Sequence, residues 1–244
     1  MKKIIIIMLS IILFALVSCK DNTVESGGLE PIVGYQLLVT SPAAIAYNAD
    51  KNTLYAVSEQ NGYLYELTLS GFLLNSVNLN ATRPKGISFL SRDTLIIAEE
   101  GTGKLVKYTT SGTRLNAFSV NVSTQNGYGL NGVSYSKSQD EYFAVTRQHP
   151  SLLLQFSNSG TEIKRLEVNF SSDLTDIYYD SLEEVSWVVS SSSHLLFKID
   201  DNGNVIKSWG LPVSYPEGIT FDNQNKMYII SNYDAKLYVF QKPY

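Results

Sequence analysis

The side chains that could do chemistry in this 244-residue chain are scattered carboxylates: Glu59, Glu99, Asp173 and Glu217. Lys85, Asn131, Arg147 and Asn232 stand at related places in a repeating pattern. Oxygen ligands gathered at one mouth can hold a hard cation such as Ca2+, with Glu217, Glu59, Glu99 and Asp173 as its carboxylates. The same acids beside Lys85 and Arg147 can instead form a solvated rim of mutually neutralising ion pairs. A catalytic metal needs about three protein ligands and an open position, which Glu59, Glu99, Glu217 and Asn131 could supply. Histidine-rich metal chemistry is excluded, because His149 and His194 are the only histidines and both fall in expected loops. The chain has no Gly-x-Ser-x-Gly elbow, and spacing alone assigns no serine-histidine-aspartate set. Asp201-Asn202-Gly203-Asn204 lacks the distal glutamate of a calcium loop and reads as a hairpin turn.

What must position these groups is a repeat. The openings Ala44-Ile45-Ala46-Tyr47, Gly86-Ile87-Ser88-Phe89, Gly132-Val133-Ser134-Tyr135, Asp176-Ile177-Tyr178-Tyr179 and Gly218-Ile219-Thr220-Phe221 follow one another at 42, 46, 44 and 42 residues. Each leads through alternating apolar runs separated by glycine or asparagine turns, which are hairpin signals. Repeats of that length made only of strands predict a β-propeller of four-stranded antiparallel blades. Ser70-Gly71, Ser111-Gly112, Ser159-Gly160 and Asn202-Gly203 mark the turn before the fourth strand, where glycine supplies a positive φ. The fifth copy ends after its third strand, which would leave a sheet edge open. Tyr35 to Thr40 has no other partner and is expected to close the last blade from the N-terminal side. The fold class is therefore all-β, a five-bladed propeller. Sixteen tyrosines and ten phenylalanines suit packing between blades.

In such a ring, the residue entering each innermost strand shares a face with the loop after the second strand. The entering residues are Ala43, Lys85, Asn131, Thr175 and Glu217. The loops are expected to begin at Glu59, Glu99, Arg147, Ser191 and Asn232. The framework does not require charge there, so this rim is the expected ligand face.

The first residues carry a different message. Met1-Lys2-Lys3 followed by the apolar run Ile4 to Ser18 reads as a secretory signal peptide over residues 1–18, too short to span a bilayer comfortably. Leu16-Val17-Ser18-Cys19 looks like a bacterial lipobox, with Cys19 acylated as the first mature residue. Cys19 is the sole cysteine, so no intramolecular disulfide can form. An ordinary signal peptide with a chance cysteine is the alternative. Residues 19–32 are polar and glycine-bearing and read as a flexible tether, leaving 33–244 as the propeller. The lipid bilayer is then a partner, and the location is the bacterial cell envelope, with inner, outer or surface leaflet open. Loss of Lys2 and Lys3 takes the formal charge from −4 to −6. An acidic exported domain without a basic cluster excludes nucleic acid as a partner.

Pro216-Glu217-Gly218-Ile219-Thr220-Phe221-Asp222 with Met227-Tyr228-Ile229-Ile230-Ser231-Asn232 resembles the closing repeat of the SdiA-regulated family, and so does Asp173-Leu174-Thr175-Asp176-Ile177-Tyr178-Tyr179-Asp180. These are exported bacterial proteins, distantly similar to NHL-repeat proteins. The resemblance spans roughly residues 40 to 240 and implies a five-bladed propeller with a calcium site. The chain departs from the family pattern at Lys85, Asn131 and Asp176, and a lysine in the mouth opposes cation binding. The functional expectation is a lipid-anchored binding module that recognises a protein or small-molecule ligand. The alternative is a metal-dependent lactonase or lyase-type enzyme with its site at the central channel.

Overall fold

A computed structural model describes residues 27–148 and 150–244. The leader, Cys19 and His149 lie outside the described residues. Five four-stranded antiparallel sheets follow one another along the chain and around a ring. The innermost strands are Pro42–Asn48, Pro84–Ser91, Leu130–Ser136, Asp176–Asp180 and Pro216–Phe221. Each is followed by two further strands outward, and blades one to four each end in their own outer strand: Leu73–Asn78, Arg114–Ser119, Glu162–Glu167 and Val205–Gly210. Glycines 71, 112, 160 and 203 hold positive φ in the turns before those outer strands, as the sequence requires. Among the described residues the only helical element is one 3-10 turn, Glu100–Thr102.

Blade five is completed by the N-terminal strand, as expected. That strand is Val33–Gln36, earlier than Tyr35 to Thr40, and it pairs antiparallel with Lys236–Gln241. Leu37 and Val39 leave the ladder because they are drawn into the apolar layer between blades five and one, where they are buried beside Ile45 and Leu237. Gly28 to Ile32, expected within the tether, also lie against the propeller. Gly28 bridges to Gly210, and Leu29 packs on the layer between blades four and five.

Five apolar layers separate the five blades, one at each junction. Aromatic rings fill these layers: Phe143 of blade three stacks on Tyr179 of blade four at 4.0 Å, and Trp187 of blade four lies against Phe221 of blade five at 5.4 Å. At the axis the innermost strands come much closer. A Cβ on Gly86 would stand 2.5 Å from the Asn131 carbonyl oxygen, on Gly132 2.6 Å from the Asp176 Cα, and on Gly218 2.9 Å from the Ala44 Cα. Glycine opens three of the inner strands because a neighbouring backbone occupies the space of a side chain.

Hydroxyls one residue after the central aliphatic position sew the inner strands together. Ser88 Oγ accepts the Tyr135 N–H, Ser134 Oγ the Tyr179 N–H and Thr220 Oγ1 the Tyr47 N–H. Blades one and two lack this stitch, because Ala46 stands there; the Asn48 amide instead donates to the Arg92 carbonyl. Blades four and five lack it too, because Tyr178 stands there. Their link moves two residues up the strand, where Asp176 Oδ2 accepts the Ile219 N–H at 2.9 Å. Replacing one such hydroxyl leaves a buried N–H unpaired, at a cost of about 1–3 kcal/mol. Ser134→Ala is therefore expected to lower the melting temperature by several degrees, and thermal denaturation followed by circular dichroism checks it.

Candidate functional site

The charged mouth is built by irregularities in the ladders. In four blades the register between the first and second strands slips at the entering residue: Ala43, Lys85, Asn131 and Glu217. A bulge re-aims the extra residue out of the normal alternation. The residue two positions earlier holds positive φ in blades one, two and five, at Ser41, Arg83 and Tyr215. Its carbonyl accepts the N–H of the first residue after the second strand, as Ser41 does from Glu59 and Tyr215 from Asn232. This fixes the loop residues and the entering residues on one face.

Most of the predicted residues meet there, in two groups. Lys85 is ion-paired with Glu59, whose other oxygen accepts from the Asn232 amide at 3.2 Å. Arg147 reaches from blade three to Glu217 in blade five at 3.2 Å, with Asp173 of blade four 3.8 Å away. Asp173 is held in turn by the Ser190 and Ser192 hydroxyls, each at 2.6 Å. Asn131 donates to the Leu174 carbonyl, while its Oδ1 is buried without a hydrogen-bond partner.

Glu99 is not part of either group. Its register partner Pro84 corresponds to Pro42, Leu130 and Pro216, whose partners are Ser58, Thr146 and Ser231. Those hydroxyls accept backbone N–H groups of the segment that follows, from Asn61, Leu152 and Asp234. Glu99 holds this framework position, accepting from the Tyr108 hydroxyl at 2.6 Å and the Thr102 hydroxyl at 3.0 Å. The counterpart of Glu59 and Arg147 is the next residue, Glu100. A slip of one residue along a strand exchanges its two faces. Glu100 is fully buried, faces Arg83 at 3.5 Å and accepts the Gly127 N–H at 2.7 Å, pinning the connection between blades two and three. The adjacent pair Glu99-Glu100 was the only sequence sign of it.

The four carboxylates expected to hold calcium therefore do not converge, and among the described residues no three Asp, Glu, His or Cys side chains form a cation site. Glu59 is engaged by Lys85, Glu217 and Asp173 by Arg147, and Glu99 by a tyrosine in its own blade. The residues present do not fit a calcium ion in this arrangement. Burial pushes the Glu217 carboxyl up to about 7, with Arg147 and Lys85 pulling it down and Glu59 pushing it further up. Burial likewise pushes Asp176 well above the ordinary carboxylate range, against the Ile219, Ile177 and Val133 N–H groups.

At the edge of this mouth Tyr215 and Tyr233 stack at 5.6 Å and are 56% and 75% exposed. The opposite end of the axis differs. A cavity of about 540 Å3 opens there, lined by residues from all five inner strands and the turns that follow them. The sequence reading did not anticipate it, because those turns read only as hairpin signals.

The SdiA-regulated family profile matches residues 37–241. The chain belongs to the SdiA-regulated family. No curated relative matches it. Among solved structures, this SdiA-regulated chain is similar to Myxococcus xanthus glutaminyl cyclase, at 12% identity and a TM-score of 0.69 over 87% of this chain and 97% of that one. It is also similar to a chain of a nidogen/laminin complex, at 13% identity and 0.59 over 78% and 72%. The virginiamycin B lyase of Staphylococcus aureus matches at 14% and 0.52 over 84% and 69%. At these identities the likeness is one of fold.

The raised Glu217 carboxyl predicts a pH dependence. The folded state keeps the Glu217 proton up to about 7, whereas the ordinary value is 4.5, so it binds the extra proton between the two. That contribution to stability is present below about pH 4.5 and is lost as pH rises through about 7. Glu217→Gln is expected to flatten the fall in melting temperature between about pH 5 and 8; an unchanged slope would assign it elsewhere.

Proposed function

We propose that this SdiA-regulated protein is a lipid-anchored binding module of the bacterial cell envelope, which recognises a protein or small-molecule ligand on its charged mouth. The observation that supports this reading most is the Tyr215–Tyr233 stack beside Glu217 and Asn232. Both rings stand largely in solvent, so the fold gains little core packing from them. Exposed tyrosines on a rigid frame are efficient contact residues, because they supply area at little entropic cost. The ion pairs beneath add complementary charge of both signs. Acylation of Cys19 would hold the domain at a membrane surface.

A second reading is supported by Glu217 itself. A buried carboxyl near 7 facing an arginine is suited to proton transfer, so a lyase- or lactonase-type enzyme acting at this mouth is the alternative. Calcium enters neither reading as required, because Lys85 and Arg147 already neutralise the acids it would need. The melting temperature of the mature domain is expected to stay unchanged when millimolar calcium is added after chelation. A ligand at a hundred times its Kd would add about 2.7 kcal/mol, so even weak binding would register.

Two variants test the binding reading. Capture of envelope proteins by the domain is expected to fall at least about tenfold in Tyr215→Ala/Tyr233→Ala, while the melting temperature holds, because such contacts each contribute up to about 2 kcal/mol or more. If the same proteins are captured equally well, the mouth is not the recognition face. Cys19→Ala is expected to move the protein from the membrane to the soluble fraction of cells; persistence in the membrane would reject acylation as the anchor.

A further inference from the structure

The mouth opposite the charged rim carries a second departure from the fivefold pattern. Around the axis, the residue after the central aliphatic one is Ala46, Ser88, Ser134, Tyr178 and Thr220. Four are small, and three of those serve as stitches between blades. Tyr178 does neither. The link it cannot make is supplied by Asp176 on the same strand. Position 178 is thereby released from stitching; its ring packs against the apolar layer between blades four and five and also lines the cavity of about 540 Å3. The ring leans on Phe221 at 4.9 Å, and among the described residues its hydroxyl makes no hydrogen bond.

The charges around that cavity are nearly all spoken for. Asp180 accepts from the Leu182 and Glu183 N–H groups and from Lys242. Asp222 accepts from the Gln224 and Lys226 N–H groups and the Tyr228 hydroxyl. Lys242 is held between Asp180 and Glu183. Lys137, exposed in the turn after the inner strand of blade three, is the lining cation that has no ion pair among the described residues. Ser181, Asn223 and Asn225 add groups that donate and accept. The volume lies within the usual range for small-molecule pockets.

We infer that this opposite mouth is a binding site for a small acidic saccharide of one or two rings, centred on Tyr178 with Lys137 receiving its carboxylate. A sugar ring offers C–H faces to an aromatic side chain and hydroxyls to the surrounding hydroxyl and amide groups. A single free cation selects one acidic substituent, and a charge-assisted hydrogen bond contributes about twice what a neutral one does. The site is separate from the charged mouth and does not depend on its function.

The test is saturation-transfer NMR on the purified full chain in detergent, with glucuronate, glucose and acetate as probes. Transfer to glucuronate is expected, with glucose and acetate each at least about tenfold weaker. Lys137→Ala is expected to weaken glucuronate about tenfold or more, as loss of a charged hydrogen bond does. Tyr178→Phe removes the free hydroxyl without changing the packing and is expected to weaken it also. Tyr178→Ser restores the residue type found in other blades; it should remain folded and lose binding. Absence of transfer to glucuronate, acetate competing as well as glucuronate, or binding that survives both Lys137→Ala and Tyr178→Ser would overturn the inference.

Discussion

The close approach of five backbones at the axis governs this molecule. Where Gly86, Gly132 and Gly218 stand, the next inner strand lies within 3 Å of the place a Cβ would take. Apolar area cannot be buried in such a gap, so the centre is held by directional bonds instead. Serine, threonine and asparagine side chains turn inward to satisfy N–H and C=O groups of the neighbouring blade. The bulky apolar and aromatic layers sit further out, where the blades diverge and there is volume to fill. Each blade thus has a polar hinge line near the axis and an apolar wedge beyond it.

That division explains what could be read in the sequence. Strand count, turn glycines and the need for a borrowed strand follow from local rules: alternation, positive φ and unpaired edges. The charged rim was legible because its residues break a repeat that is otherwise kept. Its register was legible only in part. Glu99 and Glu100 are both acidic, and alternation alone does not say which one ends the strand; the bulge at Lys85 and the 3-10 turn at Glu100–Thr102 decide it. The start of the closing strand was similarly hidden, since Leu37 and Val39 look like strand residues but are taken by the layer between blades five and one. Tyr178 gave no signal at all, because a tyrosine in a strand is usually filler. Its meaning appears only when Asp176 is seen making the link that Tyr178 cannot.

The two ends of the axis have gone different ways. At one, long cationic side chains reach across blades and bind the acids opposite, so the opening is filled by the protein's own charges. At the other, the turns are short, their carboxylates are spent on backbone N–H groups, and space remains. Blade four is responsible for much of this asymmetry: it places Asp173 under Arg147 at one end and Tyr178 at the other, with Asp176 between them.

The borrowed strand also sets an order of events in time. Val33–Gln36 is made early and its partner, Lys236–Gln241, about two hundred residues later. Until the later strand emerges, Val33–Gln36 has no partner in blade five and the ring stays an open arc with exposed edges. The contact that completes the fold has nearly the greatest sequence separation the chain allows, so it is the slowest to find by diffusion of the chain. An arc that cannot lock before Lys236–Gln241 arrives keeps its edges open until all five repeats have been made.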